Sequence, residues 1–172
     1  PYTYRNPFNE TDPAVLAQNV AQMMEDEIAF QDASTIAAFI MEPIQGAGGV
    51  IVPHETFMPL MREICDRHGV LLIFDEVITG FGRTGDWSGA RHWGVKPDMM
   101  STAKGITSGY FPVGAALMSG KVAEVFETAP EGTISHGYTY SAHPVGAAAV
   151  IACLEETLRL DTKTNAAARG TQ

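Results

Sequence analysis

Asp75 and Lys104 are the residues whose types and settings could do covalent chemistry. Asp75 closes an apolar run, Leu71-Leu72-Ile73-Phe74, and is followed by Glu76. Lys104 sits in Ser101-Thr102-Ala103-Lys104-Gly105, at the end of a second short apolar segment. A carboxylate at the end of a buried strand is costly unless something pairs with it. An acid and an amine on two strand ends could grip a ring-shaped electrophile. The acid would face a basic ring nitrogen, and a partly desolvated lysine would attack an aldehyde. Each residue also has a plainer reading: Asp75 as a helix cap or an ion-pair partner of Arg83, and Lys104 as an ordinary surface lysine.

Neighbouring residues add to this picture. Val77 lies two positions beyond Asp75, so if the strand extends that far the two share a face and Glu76 points the other way. An acid beside an apolar pad suits an aromatic heterocycle. Gly80-Phe81-Gly82-Arg83-Thr84-Gly85 separates the two segments, and Gly105 and Gly109 follow Lys104, which invites close backbone approach. His136-Gly137-Tyr138-Thr139-Tyr140-Ser141 offers hydroxyls beside a glycine ahead of a helix containing Pro144. Such a place binds phosphate well, although plain capping by Ser141 reads equally well. The glycines at 80, 82 and 85 form neither a Walker loop nor a dinucleotide fingerprint. No His, Cys, Asp and Glu cluster has metal-ligand spacing, so no metal is expected.

The elements that must position these residues alternate. Thr11-Asp12-Pro13 starts a helix that runs to about Ala29. Residues 36–41 read as a buried strand ending at Glu42-Pro43, with the flexible 45–49 loop after it. Residues 56–68 carry apolar positions at helical spacing and stop at Gly69. Strands follow at 70–74, 98–103 and 113–118, a short helix at 121–128, and an alanine-rich helix at 143–160. Residues 86–97 read as a surface connection and 129–136 as a loop. Strands that are apolar throughout, alternating with helices, predict an α/β fold: three layers, with a mostly parallel sheet covered by helices on both faces. Ligands of such sheets sit beyond the carboxyl ends of the strands, and Glu42, Asp75 and Lys104 all fall there.

Composition sets the outer limits. The chain has 172 residues, 45% hydrophobic and 18% charged, enough for one packed domain. A net charge of −9 argues against nucleic acid or an anionic membrane as partner. Two isolated cysteines, Cys65 and Cys153, point to a reducing, cytoplasmic setting. No apolar run reaches membrane-spanning length. The chain begins at Pro1 and closes on a polar stretch, which reads as an internal piece of a larger protein. Residues 1–160 are expected to be part of a cofactor-binding large domain, and 161–172 a tail leading toward a small C-terminal domain.

The motifs together resemble the class III, fold type I aminotransferases that use pyridoxal phosphate. The matching segments are Glu42-Pro43-Ile44-Gln45-Gly46, the run Asp75 to Gly85, Lys96-Pro97-Asp98, Ala103-Lys104-Gly105 with Gly109 to Ala115, and His136 to Ser141 with His143-Pro144. They cover roughly residues 37–158 in family order, and Pro1-Tyr2-Thr3-Tyr4-Arg5 resembles the omega-amino acid:pyruvate branch.

The resemblance implies roles. Lys104 would form the internal aldimine and shuttle a proton between substrate and cofactor carbons. Asp75 would keep the pyridine nitrogen protonated, and Val77 would pack on the ring face. Thr139 would reach the cofactor phosphate of a neighbouring subunit in a homodimer or tetramer. Glu42 would lie on the substrate side. Ile78 stands where gamma-aminobutyrate aminotransferases carry a glutamine near the ring oxygen, which favours the amine:pyruvate branch. Small-molecule amines and keto acids would be the substrates. The glycine-serine phosphate loop and the carboxylate-binding arginine of relatives have no counterpart in these residues. Two other readings are a class III aminomutase or racemase, and a non-catalytic fragment that only folds or associates.

Overall fold

The computed structural model describes residues 1–171. Asp12 caps the first helix, α1 (Pro13–Gln31), its carboxylate accepting from the Ala14 and Val15 amides. Leu16, Ala17, Ala21 and Ile28 form its buried stripe. Strand β1 (Ala38–Met41) leads to α2 (Phe57–His68), whose buried Phe57, Met58, Met61, Ile64 and Cys65 recur at helical spacing. Strand β2 is Leu71–Asp75, α3 is Gly89–His92 and β3 is Met99–Thr102. Strand β4 (Ala115–Met118), α4 (Gly120–Thr128), α5 (Pro144–Arg159) and α6 (Thr162–Gly170) complete the chain. None of these helices is long and apolar enough to cross a membrane.

The four strands lie in the order β1-β2-β3-β4. The first three are parallel, with Ile40 beside Ile73 and Asp75 beside Ser101, and β4 runs antiparallel to β3. The expected α/β sheet flanked by helices is present. The reversal at β4 has a topological cause. Parallel neighbours need a long crossover, usually a helix, and the residues between β3 and β4 are taken up by a short turn at Lys104 and a loop.

Helices α1 and α2 cover one face of the sheet. Leu72 and Phe74 point into that core with Ala17, Ala21, Met58, Met61 and Cys65. Leu71, Ile73 and Asp75 alternate with them and are half-buried. Each fully buried side chain of this kind contributes about 1.5–3 kcal/mol. Asp98, just ahead of β3, ties the layers together: its carboxylate accepts from the Leu72 amide at 2.9 Å and from Arg62 Nη1 at 2.8 Å. Burial alone would raise the Asp98 carboxyl, but the Leu72 amide and the Arg62 guanidinium more than offset it and hold it below the usual carboxylate range.

Two segments depart from expectation. The 86–97 connection is not a surface loop: Ser88, Gly89, Ala90 and Val95 are buried, with α3 docked under the end of β2. The stretch after Asp161 is helical and folds back on the glycine turn. Gly85 has φ +83°, and a Cβ there would lie 3.0 Å from Ala167 Cβ, so α6 rests directly on the turn. Lys163 Nζ stands 5.4 Å above the Trp87 ring.

Candidate active site

Strand β2 stops at Asp75, one residue past the apolar run, so Val77 lies in a turn and not on an extended strand. The two remain adjacent because the Val77 amide donates to Asp75 Oδ1 at 3.0 Å. Asp75 therefore caps its own turn. Among the described residues it forms no ion pair with Arg83.

Glu76 points away from Asp75, as the strand alternation requires, and enters the core face behind Phe74. It is fully buried. Its carboxylate accepts from the Thr79 hydroxyl, from the Gly89 amide at 2.8 Å and from the Ala90 amide at 2.6 Å. Sequence reasoning assigns Glu76 no role. A signal for one exists: the residue alternating with Leu72 and Phe74 must face the core, and a carboxylate there needs donors.

Glu42 follows β1, and its Oε2 accepts from the Gly46 amide at 2.8 Å. A Cβ on Gly46 would overlap Ile78 Cδ1 and lie 3.6 Å from Glu42 Oε2, so Glu42 and Ile78 flank the same glycine. Glu42 and Asp75 line one cavity of about 580 Å3, with Phe39, Met41 and Gln45 on its walls.

Lys104 stands on the short turn 104–106 that follows β3, three positions after Ser101, the strand partner of Asp75. Its backbone is left-handed (φ +44°). For a residue with a Cβ this costs about 1–3 kcal/mol and persists where the surroundings impose it. Here Gly105 is pressed against Phe81, whose Cβ would be 3.2 Å from a Cβ on Gly105. The small-residue setting predicts partial desolvation, yet Lys104 is exposed in this chain. Val77, Ile78, Arg83 and Lys104 share a second cavity of about 340 Å3, with Thr157 of α5 and Thr162 and Ala166 of α6 in its wall.

Thr139 is not brought to the others. It lies exposed in a turn between Tyr138 and Tyr140, which are also exposed. Ser141 does not cap α5: its Oγ accepts from the Tyr138 amide, and the cap is His143, whose Nδ1 accepts from the Val145 amide at 3.2 Å.

Glu42, Asp75 and Lys104 thus lie at or just past the ends of three adjacent parallel strands, the two acids lining one cavity and Val77 with Lys104 lining another. Comparison with known proteins agrees in kind. The chain is 47% identical over 150 residues to a beta-alanine--pyruvate aminotransferase of Pseudomonas aeruginosa, covering 85% of this chain and 33% of that protein. It is 50% identical over 131 residues to an omega-amino acid--pyruvate aminotransferase of Pseudomonas putida, covering 74% of this chain and 29% of that one. The chain therefore spans about a third of the length of these relatives. Among solved structures, an amine transaminase from an uncultivated Pseudomonas species, in its PLP-bound internal aldimine form, superposes with a TM-score of 0.96. It is 50% identical and covers 100% of this chain and 39% of its own. An (S)-enantioselective omega-transaminase from Thermomicrobium roseum gives 0.92 at 44% identity, covering 99% and 38%. The family described as aminotransferase class III matches residues 1–172 throughout, and the chain belongs to it.

Proposed function

We propose that the full-length protein is a pyridoxal phosphate-dependent transaminase that moves an amino group from an omega-amino acid or other amine to a keto acid such as pyruvate. The donor set fits the cofactor: Asp75 engages one carboxylate oxygen with the Val77 amide and keeps the other for a ligand, and Lys104 offers an exposed amine. When bound, pyridoxal phosphate supplies a carbonyl that amines condense with and a ring that takes up electron density.

The chain's own residues have the following parts. Asp75 orients the ring and holds a proton at its nitrogen. Val77 packs on one ring face, and Ile78, which has no amide to offer, leaves the ring oxygen without a side-chain partner from this position. Lys104 Nζ would take the proton from the substrate carbon that bears the nitrogen and deliver it to the cofactor carbon on the other side of that nitrogen. Glu42 lies toward the substrate. Thr139, exposed on its turn, reaches the phosphate of a second copy in a homodimer or tetramer. The two free cysteines suit a cytoplasmic setting.

The observation that carries this reading is the position of Asp75, paired with Ser101 at the end of β2, and of Lys104 three residues beyond Ser101 of the adjacent parallel strand. The names of the relatives support pyruvate as acceptor. The test is a panel of amines, beta-alanine and gamma-aminobutyrate with pyruvate. Stoichiometric alanine formation is expected, reduced at least 100-fold in Lys104→Ala, a size typical of losing a positioned proton carrier. No alanine with any donor would overturn the proposal.

A further inference from the structure

We infer that Glu76 is a positioning residue for the cofactor site, acting through the backbone that carries Asp75 and Val77; this rests on the function proposed above. Several observations converge on its carboxylate. It is fully buried and holds the Thr79 hydroxyl and the Gly89 and Ala90 amides. Its own amide donates to Ser101 O at 2.9 Å, which fixes the end of β2 to the end of β3, the strand that leads to Lys104. Its carbonyl accepts from the Gly80 amide at 2.9 Å, which closes the turn bearing Val77 and Ile78. The first strand end is drawn in as well: a Cβ on Gly89 would lie 2.9 Å from Pro43 Cβ and 3.2 Å from Glu76 Oε2, so Pro43, next to Glu42, packs on the same knot.

Residue 76 therefore ties the strand ends by two routes: its backbone amide links β2 to β3, and its carboxylate holds Gly89, against which Pro43 beside Glu42 is packed. Glu76 itself cannot touch a ligand lying on the Asp75 side, because it points into the opposite face. Its effect has to pass through peptide planes: with Glu76 held on the core side, Asp75 and Val77 are held on the other. A merely structural role would require only that the core be filled. Satisfying three donors with one buried side chain instead fixes the direction of the strand end.

The test uses the full-length protein and Glu76→Gln, which keeps shape and volume but turns one acceptor oxygen into a donor facing a backbone amide. The readouts are the visible absorbance and circular dichroism band of bound pyridoxal phosphate and its dissociation constant, all measured well below the melting temperature. The expected result is a changed dichroism band and cofactor binding weakened about tenfold. Thr79→Val, which removes one donor and leaves both amides paired, should shift both readouts in the same direction by a smaller amount, and decides the matter if the glutamine variant does not fold. A variant that melts lower yet keeps the wild-type band and affinity would overturn the inference alone. A wild-type protein that binds no pyridoxal phosphate would overturn the proposed function and this inference with it.

Discussion

At the scale of single residues, neighbouring side chains of one type are sorted by the direction of the strand. Asp75 and Glu76 are both acids at the end of β2, yet one faces a cavity and the other is locked in the core. Packing separates the cysteines, which lie on different helices. Burial pushes the Cys65 thiol up to about 11, whereas Cys153 on α5 is half-buried, with Sγ 3.2 Å from Ser108 Oγ. A thiol raised that far carries little thiolate at neutral pH. Brief alkylation of the native protein at pH 7.5 should therefore leave the Cys65 peptide unlabelled, with labelling appearing only after unfolding. Peptide mass spectrometry reads the result, and rapid native labelling of Cys65 would show that α2 is not packed as described.

Part of the placement of these residues is legible in the sequence. Asp75 and Lys104 stand out because charged residues at the ends of apolar strands need a reason. Glu76 is legible only in part: alternation turns it to the core, but two of its donors, the Gly89 and Ala90 amides, lie far along the chain and have no pattern of their own. The exposure of Lys104 is also hidden, since its small-residue neighbours suggest burial.

At the scale of elements, local signals fix what local interactions fix. Asp12-Pro13 starts α1 through its own side chain, and Gly69 ends α2. Helices α3 and α6 are not legible because both are held from a distance. Four residues of α3 persist through Glu76, and α6, polar and without a long apolar stripe, persists through Gly85 and Trp87.

Asp98 shows the same kind of distant tie and gives a measurable stability. Asp98→Ala would remove the acceptor of the buried Leu72 amide and the carboxylate partner of Arg62, leaving Arg62 Nη1 only the Lys96 carbonyl at 3.4 Å, and should cost about 3 kcal/mol near pH 7 in denaturant unfolding. The sign with pH follows from the direction of the shift. A carboxylate held below its ordinary value near 3.9 stabilises the fold above that pH, and the stability is lost as pH falls through the folded-state value. The gap between wild type and variant should be constant from pH 7 to about 5 and narrow below about 4. A gap that stays constant to pH 2, or one under 1 kcal/mol at neutral pH, would contradict the role given to Asp98.

At the scale of the whole molecule, three parallel strands bring separate motifs to one sheet edge. The sequence order of the motifs is the spatial order of the strands that end in Glu42, Asp75 and Lys104. That is why the family resemblance, carried by short segments, agrees with a superposition over the entire chain. Thr139 is the exception, because a turn that meets no other site residue within one chain offers no contact to reason from.

The central claim is that Lys104 is the amine that meets the cofactor. Borohydride reduction of the full-length protein incubated with pyridoxal phosphate, followed by peptide mass spectrometry, tests it most directly. The account predicts one modified peptide, with the cofactor fixed on Lys104 Nζ, and no such adduct in Lys104→Ala. Modification of a different lysine, or an adduct that survives in Lys104→Ala, would contradict it.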